Sequence, residues 1–307
     1  MKIGLWTLAT LRGMQYLSTI RTCLLVAAVI ALLAFVALAL SGKSRTFIIE
    51  AQTTAITLDF KGENNDWFMA GTIACRLRNE PDFTHALNDQ NCDARFYDIA
   101  EAADLTVQWP RDVQVTLTLT RKGNLRVKIL TLGLPDFPEG TILIVPSSEW
   151  LDGGALTFSA EMTVGKSISD GERFYLTDGR WEARETGMIT SLLRSNVTEV
   201  IKTGDFVRGA TASVWSGNAP IQMNGHITPG GTPDRPLLEL VAVSQPGNLE
   251  LHVGYPGTDI PTIIRPDLVD VALSSPLLLA IAVVLSVLAS LSQVFADLAS
   301  RRAEDGF

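Results

Sequence analysis

Between residues 42 and 275 apolar and polar positions alternate with the two-residue period of half-buried strands. Val113, Val115, Leu117 and Leu119 alternate with polar residues, Arg121-Lys122-Gly123-Asn124 interrupts the run, and Leu125, Val127 and Ile129 resume it. This pattern predicts a hairpin with one buried face. Leu156, Phe158, Ala160, Met162 and Val164 predict a further strand. Phe174-Tyr175-Leu176 and Trp181 flank Asp178-Gly179, a dipeptide suited to a type I′ turn, which predicts a second hairpin. A third is predicted from Leu238, Leu240 and Ala242, through Gln245-Pro246-Gly247-Asn248, to Leu249, Leu251 and Val253. Short strands between Gly-, Pro- and Asn-bearing turns predict a mainly β, antiparallel domain, arranged as a sandwich or barrel-like stack.

Helix is scarce in this region. Asp93 stands where it could cap a short helix over 94–105, rich in Ala and Glu. Ile189, Leu192, Leu193, Val197 and Val200 are partly helically spaced and predict a helix over 187–202, with a strand around 196–201 as the rival reading. A boundary between two β subdomains is expected near 187.

Two uncharged apolar runs bracket the β region, at 22–40 and 277–296. Each has about the 20 residues that a helix needs to cross a bilayer. Lys2, Arg12 and Arg21 precede the first run and Arg301 and Arg302 follow the second, so Lys/Arg bias places both ends in the cytoplasm. Lys43 and Arg45, just past the first run, oppose that bias slightly. The expected order is a cytoplasmic or interfacial segment at 1–21, a transmembrane helix at 22–40, an extracytoplasmic β domain at 42–275, a transmembrane helix at 276–296 and a cytoplasmic tail at 297–307. Ala37-Leu38-Ala39 also fits a secretory cleavage site, so a signal peptide is the alternative for the first run. In the second run Ala282, Ser286 and Ser290 recur at four-residue spacing, with Gln293 near the same face. Small residues so spaced let membrane helices approach closely, although ordinary Ala and Ser usage also produces the pattern.

The formal net charge is −8, and between the apolar runs acids exceed bases. Nucleic acid is therefore not an expected partner, since phosphate binding needs the opposite sign. Of three cysteines, Cys23 lies inside the first run. Cys75 and Cys92 read as a disulfide if the domain is exported, against two buried thiols as the plainer alternative. Such a bridge closes a loop of about 16 residues and contributes on the order of 3 kcal/mol in the chain-entropy account.

Candidate chemistry is thin. Asp89, Asn91 and Asp93 have the first spacing of a calcium loop, but Ala94 replaces the turn glycine and Ala100 replaces the bidentate glutamate. A solvated turn is the competing reading. His85, His226 and His252 are isolated, and no nucleophile-elbow, phosphate-loop or dinucleotide motif occurs, so no cofactor is expected. A Ser–Lys pair through Lys166 or Lys202 is open, because such pairs form only in space. Trp67, Trp109, Trp150, Trp181 and Trp215 could line a glycan surface, although core packing is the commoner fate of such rings.

The expectation is a non-catalytic envelope protein anchored twice in a bacterial inner membrane, with a periplasmic β domain that scaffolds or assists a membrane complex. Its partners would be the lipid bilayer and other proteins, or further copies of itself, through the membrane helices. A glycan-, lipid- or peptide-binding or sensing module is the alternative, and a membrane-tethered hydrolase the third reading.

Overall fold

The computed structural model describes residues 44–62, 65–84, 92–120, 122–131, 134–166, 174–186, 199–232 and 234–266, with isolated positions between Asp270 and Val294. Two compact units divide the chain: Met1–Lys43 with Thr186–Val197, and Ser44–Glu185 with Thr198–Phe307. Apart from Thr186 the first lies outside the described residues; the second holds the β fold. The apolar run at 22–40 and the expected boundary near 187 lie outside the described residues. Among the described residues no helix is long and apolar enough to cross a membrane.

Among the described residues seventeen strands follow in chain order: β1 (Ser44–Thr53), β2 (Ala55–Phe60), β3 (Asp66–Leu77), β4 (Tyr97–Ile99), β5 (Ala103–Gln108), β6 (Gln114–Leu119), β7 (Leu125–Ile129), β8 (Ile142–Val145), β9 (Leu156–Val164), β10 (Leu176–Thr186), β11 (Glu199–Asp205), β12 (Thr211–Ser216), β13 (Ala219–Pro220), β14 (Gln222–Thr232), β15 (Arg235–Ser244), β16 (Glu250–Gly254) and β17 (Thr262–Ile264). One short helix, α1 (Ser147–Asp152), lies between β8 and β9. The strands form one continuous, open, antiparallel sheet.

β11 pairs with β10, and β10 lies beside β1, where Arg180 meets Glu50 and Arg45 meets Glu185. β1 then pairs with β15, β15 with β14 and β14 with β9. The other edge of β9 carries β2, followed by β6, β7, β8 and β3. β5 and β4 share the far edge of β3. A branch leaves β9 at Ala212↔Val164 and runs through β12 to β16 and β17. A sheet this wide curls rather than staying flat. Here β6 and β15, separated along the path by three strands, come into contact.

The hairpin predicted at 113–129 forms, with Leu119 opposite Leu125 and Val115 opposite Ile129. Val115, Leu117, Leu125, Val127 and Ile129 are fully buried and join the main core. The opposite face carries Thr116, Thr118, Arg126 and Lys128. The strand at 156–164 also forms, as β9.

Three local expectations are corrected. First, Asp178-Gly179 is not a turn: β10 runs straight through it. The glycine serves close approach, because a β-carbon there would stand 2.7 Å from the Glu50 carbonyl oxygen of β1. Secondly, β15 and β16 are strands but not a hairpin, since β15 pairs with β1 and β14 whereas β16 pairs with β12 and β17. Gly247, in the expected turn, instead exchanges both backbone hydrogen bonds with Arg45, each 2.9 Å. Thirdly, the helix expected over 94–105 is absent. The Asp93 carboxylate binds Arg95, while its carbonyl accepts from the Phe96 and Tyr97 amides, so the chain makes one turn and enters β4 and β5. Of the segment expected as helix at 187–202, residues 199–202 are strand, within β11. The rest lies outside the described residues.

An aromatic trio marks one end of the main core. Phe60 stacks on Trp109 at 5.4 Å with 9° between the rings, and Trp67 meets both edge-on. Trp67 Nε1 donates to the Thr157 carbonyl at 2.7 Å, so its polar atom is satisfied within the core. Asn65, fully buried, accepts from the Ser159 amide at 2.7 Å and donates to the Gly62 carbonyl at 3.0 Å.

Candidate functional site

Cys75 and Cys92 form a disulfide, with Cα atoms 6.4 Å apart. Cys75 sits in β3 between Ile99 of β4 and Ile142 of β8. Both half-cystines pack with Ile142 and Ile144, and with the half-buried Ile73 and Tyr97, in a second apolar cluster separate from the main core. The bridge ties Cys92 to β3 within this cluster.

The calcium-loop reading rests on residues that fall on both sides of the described region. Asp89 and Asn91 lie outside it. Asp93 lies inside, and both its oxygens are engaged by Arg95, which holds its carboxyl below the usual aspartate range. Among the described residues no group of three or more acidic, His or Cys side chains is arranged to hold a metal ion.

The histidines and lysines do not converge. His85 lies outside the described residues, and His226 is exposed on β14, opposite Thr157 and Val241. His252 stacks on Trp215 with ring centres 4.9 Å apart and 9° between planes. Its Nε2 lies 3.6 Å from the buried Glu250 carboxylate, which Arg265 also engages at 2.5 Å. Ser213, opposite His252 on β12, accepts the Trp215 Nε1 hydrogen bond. The group is a polar ladder across β12, β16 and the end of β17, in which His252 Nε2 is buried without a hydrogen-bond partner among the described residues. Lys202 is paired with Asp270 at 2.8 Å, and Lys166 also has a partner. Trp67, Trp109, Trp150 and Trp181 are buried, leaving Trp215 as the half-exposed ring of the five.

Asp59 and Glu161 stand directly opposite on β2 and β9, a repulsive arrangement for two carboxylates. Lys61 relieves it: its Nζ is 2.7 Å from Asp112, 3.2 Å from Asp59 and 4.0 Å from Glu161. The hydrogen bond from Lys61 holds the Asp112 carboxyl below its usual range, whereas burial pushes the Glu161 carboxyl up.

The helix-packing residues of the second apolar run are described only in part. Ser286 and Ser290 are helical and exposed, and the Ser290 hydroxyl donates to the Ser286 carbonyl at 2.9 Å. Ala282 and Gln293 lie outside the described residues.

The arrangement that the sequence reading passed over is a cavity of about 560 Å³ where the β6–β7 hairpin meets β15. Thr54, Thr118, Leu119, Thr120, Arg126, Phe174, Asp234 and Pro236 line it. Arg126 and Thr118 are cross-strand partners. The signal lies in VTLTLT and LRVKI, whose polar positions share the face opposite the buried one. No family profile matches the chain, and neither a curated protein nor a solved structure matches it.

Proposed function

We propose that this chain is a non-catalytic membrane protein of the bacterial envelope, anchored by its two apolar runs, whose β domain scaffolds or assists a membrane-associated complex. The observation that carries the reading lies in the second run. Leu279, Val283, Val284, Val287 and Val294 are helical at their described positions, and each is about half exposed or more, with 48% for Leu279 and 63% for Val283. Among the described residues nothing covers them, and a lipid or a partner helix would. The domain between the runs supports the same reading: Trp67, Trp109, Trp150 and Trp181 are spent on the core, and Lys61, Arg95 and Lys202 on neighbouring carboxylates. Both termini are cytoplasmic, the β domain faces the periplasm, and association runs through the helix face that bears Ser286 and Ser290.

Reporter fusions test the topology. A reporter active only in the cytoplasm should work after Arg302, and one active only outside should work when inserted at Gly153-Gly154, an exposed loop. An exported tail after Arg302 overturns the double anchor. Recovery of a mature chain starting at Leu40 shows the first run to be a signal peptide. Purification in mild detergent should then retain a partner or a second copy, and Ser286→Leu or Ser290→Leu should release it while the domain stays folded. The glycan-, lipid- or peptide-binding module is the runner-up, favoured by the cavity beside Arg126.

A further inference from the structure

Arg126 is a cation with no counter-ion among the described residues. Among the described residues it makes no ion pair and no side-chain hydrogen bond, and its Nε is buried without a partner. A desolvated guanidinium donor left unsatisfied costs on the order of 1–3 kcal/mol or more. The other described bases near β1, β2 and β10 avoid that cost: Arg45 has Glu185, Lys61 has Asp112 and Arg180 has Glu50.

The surroundings of Arg126 supply further donors. Thr118, directly opposite on β6, is nearly buried and makes no side-chain hydrogen bond among the described residues. The Thr120 hydroxyl oxygen accepts from the Asn124 amide, so its proton is free to be donated elsewhere. Thr54 is already engaged with Tyr175 and serves as wall. Phe174, Leu119 and Pro236 close the apolar side. A guanidinium fork that shares a cavity wall with the Thr118 and Thr120 hydroxyls suits an oxyanion with several oxygens to satisfy in different directions. Asp234, exposed at the rim, disfavours a bare dianion and accepts from a hydroxyl or ammonium carried beside the anionic group. At about 560 Å³ the cavity has the size of a small-molecule site.

We propose that this cavity binds a phosphate ester, with Arg126 holding the phosphate and Thr118 and Thr120 donating to its remaining oxygens. The ester comes either from a soluble metabolite or from a lipid head group, and the chemistry at Arg126 is the same.

Calorimetric titration of the full chain, in a phosphate-free maltoside detergent, decides the matter with two probes. Glycerol phosphate represents the soluble source, and dihexanoyl phosphatidylglycerol below its micelle concentration represents the lipid. Saturable binding of the first assigns a soluble ester, and of the second alone a head group; either supports the site provided that the variants respond. Arg126→Gln should weaken binding by roughly tenfold or more, the span expected for a charge-assisted hydrogen bond. Arg126→Lys should weaken it too, because an ammonium cannot reproduce the fork. Thr118→Val should weaken it by a smaller factor, and Arg180→Gln should leave it unchanged. Should Arg126→Gln fail to fold, Arg126→Lys and Thr118→Val carry the comparison. No saturable binding of either probe overturns the proposal, as does wild-type affinity in the folded Arg126 variants. Because glycerol phosphate needs no membrane, this outcome is independent of whether the two apolar runs are anchors.

Discussion

Gly179 lies against the backbone of Ala51: a β-carbon on the glycine would stand 2.9 Å from the Ala51 Cα. The contact explains why an Asp-Gly dipeptide occurs in mid-strand. Gly179→Ala should therefore destabilise the domain by roughly 1–3 kcal/mol, the usual cost of overpacking. Gly247→Ala, whose β-carbon would meet nothing nearer than the tip of the Leu249 side chain at 3.3 Å, is the useful contrast. Urea melts of the two variants should rank Gly179→Ala as the more damaging, because backbone cannot move aside as a side chain can.

Cys75→Ser should lower stability by about 3 kcal/mol through the loss of a short cross-linked loop. In the non-reduced protein neither Cys75 nor Cys92 should label with a thiol reagent. Free labelling of both would remove the bridge. The melting loss should be accompanied by faster proteolysis near Cys92, while the main core, to which the two half-cystines do not belong, keeps its near-ultraviolet signature.

Glu161 offers a pH test. Its carboxyl is raised by burial, so the folded state binds that proton more tightly than the unfolded chain. Such a group supports folding fully below its unfolded value and loses that support as pH rises through the folded one. Glu161→Gln should accordingly stabilise the protein at neutral pH, and the gain should vanish below about pH 4, where glutamate is protonated in the unfolded chain as well. Asp112 has the opposite sign: its carboxyl is lowered by Lys61, so its contribution is present above the ordinary aspartate range and is lost on acidification. Thermal melts from acid to neutral pH on Glu161→Gln and Asp112→Asn should diverge in those two directions.

Trp67→Ala should cost roughly 3–5 kcal/mol, since it empties the aromatic trio and strands the hydrogen-bond acceptor at Thr157. Trp215→Ala should cost much less, because that ring is half-exposed and packs on one imidazole. Equal losses at the two positions would show that β12 and β16 are as central to stability as the trio.

Strands were legible in the sequence where one face is buried and the neighbours are local. The hairpin around Gly123 shows this: alternation gave the faces and a short turn gave the partner. Pairings between distant segments were not legible. Nothing in Leu238–Ala242 says that its neighbour is β1, almost two hundred residues earlier, and nothing in Leu249–Val253 points to β12. The false helix at 94–105 arose from propensity, which an edge pairing with β3 and an Asp93–Arg95 lock outweighed. α1 is only six residues long, too short to show a helical period. The cavity escaped for a different reason. A polar residue on the outer face of a hairpin reads as solvated until another hairpin tip is known to stand over it.

The placement of β1 has a mechanical consequence. The strand begins at Ser44, and it is flanked by β15 on one side and β10 on the other. Tension arriving from the chain ahead of Ser44 pulls along the strand axis and loads two rows of hydrogen bonds in shear at once. An edge strand would peel away one bond at a time, whereas β1 resists as a unit, with the doubly bonded Arg45–Gly247 pair taking the first strain. The domain is thus clamped at the point where its chain enters, and it would unravel more readily from β17, which holds three residues on a single neighbour.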